Sequence, residues 1–290
     1  MHAGRLLGID LGGTKIEGVV LDADLHELAR ERMPTERDRG YEHIVGRIGA
    51  LVDRLRPIAG DGPVGVGTPG SVSARTGLMK NSNTTSLNGR PLQADLEARL
   101  GVPVRLENDA NCFALAEARA GAGQGHRVVF GVILGTGVGG GIVCDGRLWS
   151  GPQHIAGEWG HHAIDPAGPA CYCGQRGCVE TLLSGPALAA AAGVPADAVA
   201  ARAGAGDARA AAALARYLAH FGRAVANLVT ILDPDVVVLG GGVSHLEALY
   251  DRGRAEVARY VFNDELRTPI VRNRLGDSAG VIGAALLAAG

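Results

Sequence analysis

The run HHAIDPAGPACYCGQRGCVE, from His161 to Glu180, gathers most of the chain's soft metal ligands into one short segment. Three of the five cysteines, Cys171, Cys173 and Cys178, fall within eight residues, and nine residues separate His161 from the first of them. Thiolate and imidazole groups at this density suit tetrahedral Zn²⁺ in a closed, structural site. Gly174 and Gly177 let the backbone turn sharply enough for the sulfurs to converge. The competing reading is a disulfide or a reactive thiol. Cys171 and Cys173 stand too close for ready pairing, and nothing else marks the chain as secreted. A metal here would pin an irregular loop, which makes the acids around it, Glu158 and Glu180, candidate site residues.

Two further carboxylates sit where chemistry is expected. Asp10, between Gly8 and Gly12, leads a glycine turn and is placed to hold hydrated Mg²⁺. Asp109 follows Asn108 at the junction of an expected strand and helix. It reads equally as an N-cap, worth about 0.5–2 kcal/mol, or as a catalytic base, worth roughly 10²–10⁴ in rate. Spacing alone does not separate the two.

Glycine turns supply the remaining candidates. Gly12-Gly13-Thr14-Lys15 and Gly135-Thr136-Gly137 each follow an apolar strand, and Gly240-Gly241-Gly242 makes a third. Backbone N–H groups in such turns, with Thr14, Lys15 and Thr136 as side-chain donors, suit a bound anion. The segment GTGVGG formally matches the dinucleotide fingerprint, but a second strand and an Asp145-Gly146 hairpin follow where that fingerprint needs a helix. GGTK likewise lacks the spacing of a P-loop. A Rossmann dehydrogenase and a P-loop NTPase are therefore disfavoured.

The elements that must position these residues are legible. Residues 5–35 read as three strands, with a turn at Asp22-Ala23-Asp24. Ile44, Ile48, Leu51 and Leu55 recur at helical spacing between about 41 and 58. Short strands are expected at 63–67 and 102–108, with helices at about 91–100 and after Asn108. A second strand–glycine turn–strand cycle begins at Val128, so the chain looks like a diverged internal duplication. An alanine-dominated helical region runs from Pro186 to about Ala226, broken near Gly204–Gly206; a strand follows at 235–239 and a small-residue helix ends the chain. Cys112 and Cys144 read as small buried hydrophobes. Trp149 and Trp159 suit either core or pocket wall.

With 28 basic and 30 acidic residues scattered along the chain, no surface for nucleic acid or an anionic membrane is expected. No apolar stretch reaches spanning length and the first residues do not form a signal peptide, so a cytoplasmic location is expected.

In order, LGIDLGGTKIEGVV, LENDANCFALAEA, LGTGVGGG, GEWGHH, CYCGQRGCVE and VVVLGGGVS resemble the ROK (repressor, open reading frame, kinase) family over essentially the whole chain. The resemblance implies an α/β actin/hexokinase-like ATPase fold: two ribonuclease-H-like domains around a cleft that closes over ATP and a sugar. We place the small domain at residues 1–112, completed by the C-terminal helix at about 276–290, and the large domain, with the zinc loop, at 113–275. By motif position, Asp109 would be the base that activates a sugar hydroxyl. Gly70, Asn83, Asn108, Glu158, His161 and Glu180 would contact the sugar. Asp10, Gly12 to Lys15, and Gly135 to Gly137 would serve the phosphates and Mg²⁺, with Gly240 to Gly242 beside the adenosine. His161 would also ligate zinc with the three cysteines, and only the register of the GEWGH motif prefers it to His162.

The implied activity is ATP-dependent phosphorylation of the 6-hydroxyl of a hexose. The stretch KNSNTTSLNG (80–89), with GEWGH and CYCGQRGCVET, is most similar to bacterial fructokinases that also accept mannose. LENDANCFALAEA and ILGTGVGGGIV are equally similar to N-acetylglucosamine kinases. Weighting the loop around Asn83 makes D-fructose the expected acceptor, with N-acetylglucosamine and glucose as alternatives. Repressors of the family carry an added N-terminal helix-turn-helix, whereas here the first strand is expected within five residues of Met1. A silent sugar-binding protein is disfavoured because Asp10, Lys15 and Asp109 are all present. The oligomeric state stays open, a homodimer included.

Overall fold

The computed structural model describes residues 4–289 and shows two compact units, each built on its own five-stranded sheet. The first unit runs through Ala120 and adds Ser150–Ala156 and the chain from Asp277 onward; the second takes Gly121–Trp149 and Gly157–Gly276. The first unit thus passes the boundary expected at residue 112 and gathers in a short segment from the middle of the chain.

In the first unit, β1 (Leu6–Leu11), β2 (Lys15–Leu21) and β3 (Glu27–Pro34) form an antiparallel meander. Helix α1 (Tyr41–Ala59) buries Tyr41, Ile44, Ile48, Leu51, Val52 and Leu55, the stripe that the helical spacing predicts. β4 (Val64–Thr68) then lies parallel to β1. A small ribbon of β5 (Ser71–Val72) and β6 (Met79–Lys80) follows, then α2 (Leu92–Leu100). β7 (Val104–Asn108), parallel to β4, leads directly into α3 (Asp109–Ala120). The sheet order is β3-β2-β1-β4-β7.

The C-terminal helix, Ala279–Ala288, packs on β1, β4 and α3. That approach requires the absence of a side chain on the strand beneath. A Cβ at Gly65 would lie 1.8 Å from the carbonyl oxygen of Ala284.

The second unit repeats the plan. β8 (Val128–Leu134), β9 (Val138–Cys144) and β10 (Arg147–Leu148) form the meander. Asp145 (φ 49°) and Gly146 (φ 72°) both take left-handed backbone in the tight turn before β10, as an Asp-Gly hairpin demands. After the cysteine-rich loop come α4 (Val179–Leu183), α5 (Gly185–Ala192), α6 (Val199–Gly204) and α7 (Ala208–Leu232). Asp207 caps α7 by accepting from the N–H groups of Arg209 and Ala210 at 3.0 and 3.1 Å. The helix outruns the expected end near Ala226 because Leu228 and Val229 continue its buried stripe. β11 (Val236–Gly240), α8 (Arg252–Tyr260) and β12 (Ile270–Arg272) complete the unit.

Its sheet order, β10-β9-β8-β11-β12, matches the first in topology: a meander, then two parallel strands added beyond its first strand. Each unit is a ribonuclease-H-like half. Among the described residues, no helix is long and apolar enough to cross a membrane.

Candidate active site

In the first unit the site is built where β4 and β7 end. Their parallel register sets Thr68 opposite Asn108, so the turn Pro69-Gly70 and the pair Asn108-Asp109 emerge side by side at the carboxyl edge of the sheet. This is the edge where open α/β sheets bind ligands. Asn108 does the capping: its Oδ1 accepts from the N–H of Ala110 at 2.9 Å, and its Nδ2 donates to the carbonyl of Gly70 at 3.3 Å. Asp109 Oδ1 also accepts from Ala110 N–H, at 2.8 Å, but Asp109 is exposed to solvent. Gly70 has φ 84°, and a Cβ there would lie 2.5 Å from the carbonyl oxygen of Lys80, so only glycine fits this turn.

Asn83 is exposed between the buried Ser82 and Thr84. The loop that presents it is clamped by Asn88, which accepts from Ser82 N–H and donates to Ser82 carbonyl, both at 2.9 Å.

The GGTK turn closes through Gly12 N–H to the carbonyl of Lys15 at 3.0 Å, and Thr35 Oγ1 holds the carbonyl of Gly12 at 2.7 Å. Thr14 and Lys15 face solvent, and Gly13 lies between them and Gly12 in the same turn. Lys15 Nζ donates to Glu17 Oε2 at 3.0 Å. Glu17 is buried and also receives Arg30 and Arg32. Burial pushes the Asp10 carboxyl up to about 7; the nearby carboxylates of Asp109 and Glu17 add to this, and Lys15 opposes it. Glu17 already has three cations, so the charge to be balanced here is that of Asp10 and Asp109. Glu107, also absent from the sequence reading, ties the site together by accepting from Ser150 Oγ, from Asn111 Nδ2 at 2.8 Å and from Asn108 N–H at 3.2 Å.

In the second unit, Gly135 N–H bonds to the carbonyl of Gly137 at 2.9 Å, which leaves Thr136 exposed at the tip of the turn. Glu180, in the first turn of α4, anchors the turn's far side: its Oε2 accepts from Val138 N–H at 3.0 Å. β11 ends at Gly240; Gly241 turns in the left-handed region (φ 79°), and Gly242 opens a 3-10 turn. Thr136 and Gly242 line a cavity of about 590 Å³, walled also by Pro186, Ala196, Glu247 and Ala248. Sequence motifs locate the glycines but not this wall, which the alanine-rich segment and the turn after β11 supply. Trp159 packs edge-to-face on Phe130 and its indole donates to Gly139 carbonyl, whereas Trp149 is exposed. Cys112 is buried and Cys144 only partly so.

The ligand atoms of His161, Cys171, Cys173 and Cys178 all lie within 4.8 Å of one another. The Cys173–Cys178 sulfurs are 3.6 Å apart, as are Cys171 Sγ and His161 Nδ1. Two sulfurs about 2.3 Å from a tetrahedral zinc stand about 3.8 Å apart, so this donor set fits such an ion. All five cysteines are free. His162 instead points its Nε2 to Asn227, at 3.2 Å, so His161 is the histidine that lies with the cysteines. Glu158 precedes the 3-10 turn Trp159–His161, and its carbonyl accepts from His161 N–H at 3.1 Å. Tyr172 OH meets His161 Nε2 at 3.0 Å.

Paired ribonuclease-H-like halves, glycine turns after the first strand of each meander and a Cys₃His cluster define one class of protein. The sequence pattern of the ROK family matches residues 6–290, and the chain belongs to that family. It is 38% identical over 297 aligned positions to the N-acetyl-D-glucosamine kinase of Photobacterium profundum, covering 97% of this chain and 98% of that one. Among solved structures it is similar to a ROK hexokinase from Thermus thermophilus, with TM-score 0.87, 36% identity and coverage of 98% and 97% of the two chains. A ROK family glucokinase from Streptomyces griseus, solved in complex with glucose and AMPPNP, matches with TM-score 0.79, 32% identity and coverage of 98% and 99%. The fold is the actin/hexokinase-like ATPase fold.

Proposed function

We propose that the chain is an ATP-dependent sugar kinase that phosphorylates the 6-hydroxyl of a hexose, with N-acetylglucosamine as its preferred acceptor. The observation that carries the kinase reading is Asp109: an exposed carboxylate at the end of β7, with the capping task taken by Asn108. The sugar's 6-oxygen attacks the γ-phosphorus, ADP leaves, and the hydroxyl proton passes to Asp109. An aspartate serves because it orients the hydroxyl and receives the proton late in a loose transition state. Asn108, Asn83 and the Gly70 backbone fix the sugar from the first unit. Hydroxyl-rich ligands need such a fixed set, since each buried hydroxyl left unpaired costs roughly 1–3 kcal/mol.

The GTG turn holds phosphate beside the cavity at Gly242, which takes the adenosine; its size and apolar wall suit a purine nucleoside. Mg²⁺ bound with ATP would neutralise phosphate charge, and Asp10 is the residue that would help to hold it. His161, Cys171, Cys173 and Cys178 would hold a structural Zn²⁺, which would close the loop that ends at Glu180.

For the acceptor, fructose follows from the loop around Asn83, a ten-residue resemblance. The 38% identity to an N-acetyl-D-glucosamine kinase extends over 97% of the chain, and we give it more weight. Fructose is the second reading. ADP release measured over fructose, mannose, glucose, N-acetylglucosamine and N-acetylmannosamine tests both. N-acetylglucosamine should lead in kcat/KM; a tenfold advantage for fructose reverses the assignment, and no turnover of any hexose ends the kinase reading.

A further inference from the structure

The first unit holds a second, smaller cavity that the mechanism above does not use. It measures about 120 Å³ and is lined by Thr68, Ser71, Val72, Gln93, Leu106, Glu107, Asn108 and His154. A water molecule accounts for about 30 Å³ of liquid, so the space admits a small branched group but not another sugar ring. Its position is set by the fold: Thr68 ends β4, Ser71 opens the ribbon just beyond Gly70, and Leu106 to Asn108 form the end of β7. The cavity therefore adjoins the edge that presents Asp109, and Asn108 belongs to both.

One of its lining residues is unsatisfied. Ser71 is only 6% exposed and its hydroxyl has no hydrogen-bond partner. Buried hydroxyls nearly always find partners, and an orphan in a native fold marks a place where something else supplies one. The other polar groups are largely committed. Gln93 Nε2 donates to Val104 carbonyl at 3.0 Å, which leaves the amide oxygen as an acceptor. Both Asn108 side-chain atoms and both Glu107 oxygens are engaged within the unit. Val72 and Leu106 add apolar surface.

We propose that this cavity is the subsite for the acetamido substituent of a 2-acetamido-2-deoxyhexose. An acetamido group offers one carbonyl acceptor, one N–H donor and a methyl. Ser71 donates to the carbonyl, the Gln93 amide oxygen accepts the N–H, and the methyl lies against Val72 and Leu106. Asn108 lines this cavity and is also an assigned sugar contact, so the cavity lies beside the place where the sugar is held. The assignment rests on the sugar-kinase reading and makes it specific, because a site built to pair an amide discriminates strongly against sugars that lack one.

The test is steady-state kinetics on the full-length, zinc-loaded protein with MgATP, using N-acetylglucosamine, N-acetylmannosamine, glucosamine and glucose. Wild type is compared with Ser71→Ala, which removes the donor, and Val72→Met, which adds bulk to the wall. Thermal melting checks that each variant folds. The expected result is a fall of at least tenfold in kcat/KM for an acetylated sugar relative to glucose and glucosamine, carried mainly by KM. Ser71→Ala and Val72→Met are independent, so failure of one to fold leaves the other to decide. A uniform loss across all four sugars, or no change in a folded variant, overturns the subsite. Wild-type turnover of glucose with none of either acetylated sugar also overturns it while sparing the kinase reading, whereas no turnover of any hexose defeats the kinase reading itself.

Discussion

At the scale of single residues, the strand–helix junction at Asn108-Asp109 separates two roles that look alike in sequence. Asp and Asn both cap helices, so spacing left Asp109 divided between cap and base. Both side chains accept from Ala110 N–H, but Asn108 also holds the Gly70 carbonyl and is the less exposed of the two, while Asp109 is exposed. Asp109→Asn should therefore lower kcat by at least about 10²-fold, leave sugar and ATP binding measurable by calorimetry, and shift the melting temperature little. Asn108→Ala should cost about 1 kcal/mol of stability by denaturant unfolding. If the two stability effects come out reversed, Asp109 is the cap. Glu17 and Glu107 escaped the sequence reading because their partners lie far along the chain. Arg30 and Arg32 reach Glu17 across the β2–β3 ladder, and Ser150 reaches Glu107 from the segment that joins the first unit.

At the scale of elements, that ladder carries a pH-dependent term. Burial alone would raise the Glu17 pKa, but hydrogen bonds from Arg32, Lys15 and Arg30 outweigh it and hold the carboxyl below its ordinary 4.5. A depressed acid stabilises the fold above its unfolded pKa, and that contribution is lost as pH falls through the folded value. Unfolding measured from pH 7 down to pH 3 should show wild type losing stability below about 4.5. Glu17→Gln, weaker by about 1–3 kcal/mol at pH 7, should show a flatter acid limb; an unchanged slope would show that Glu17 is not the group titrating.

The cysteine loop makes a second element-scale case. Cys178 directly precedes α4, and Glu180 in the first turn of α4 holds Val138 N–H beside the GTG turn. Metal analysis of protein purified without added zinc or chelator should find about one zinc per chain. Cys178→Ser should lower the melting temperature and raise the KM for both sugar and ATP, because Cys178 leads into the short helix whose Glu180 anchors the turn. Protein that contains no zinc yet melts and turns over normally would sink the metal assignment.

At the scale of the whole molecule, the chain's last helix completes its first unit. Gly65 admits that helix by lacking a side chain, and Gly65→Val should cost about 3 kcal/mol or more by denaturant unfolding. Near-wild-type stability would mean that the helix does not pack on that strand. The sequence by itself determined the class of fold, the internal repeat, the glycine turns, the cysteine cluster and the Asn-Asp pair, because these depend on local periodicity and on residue types with one dominant use. It underestimated α7 and passed over β12, α8 and the β5–β6 ribbon. β12 has three residues, and pairing with β11, not local propensity, makes it a strand. Only the tertiary structure chose His161 over His162, moved the cap to Asn108, and surrounded Glu17 with three cations. It alone left the Ser71 hydroxyl unpaired beside a small cavity. Each of these depends on which distant segments share a volume, and volume is settled by packing across sheets and helices, not by spacing along the chain.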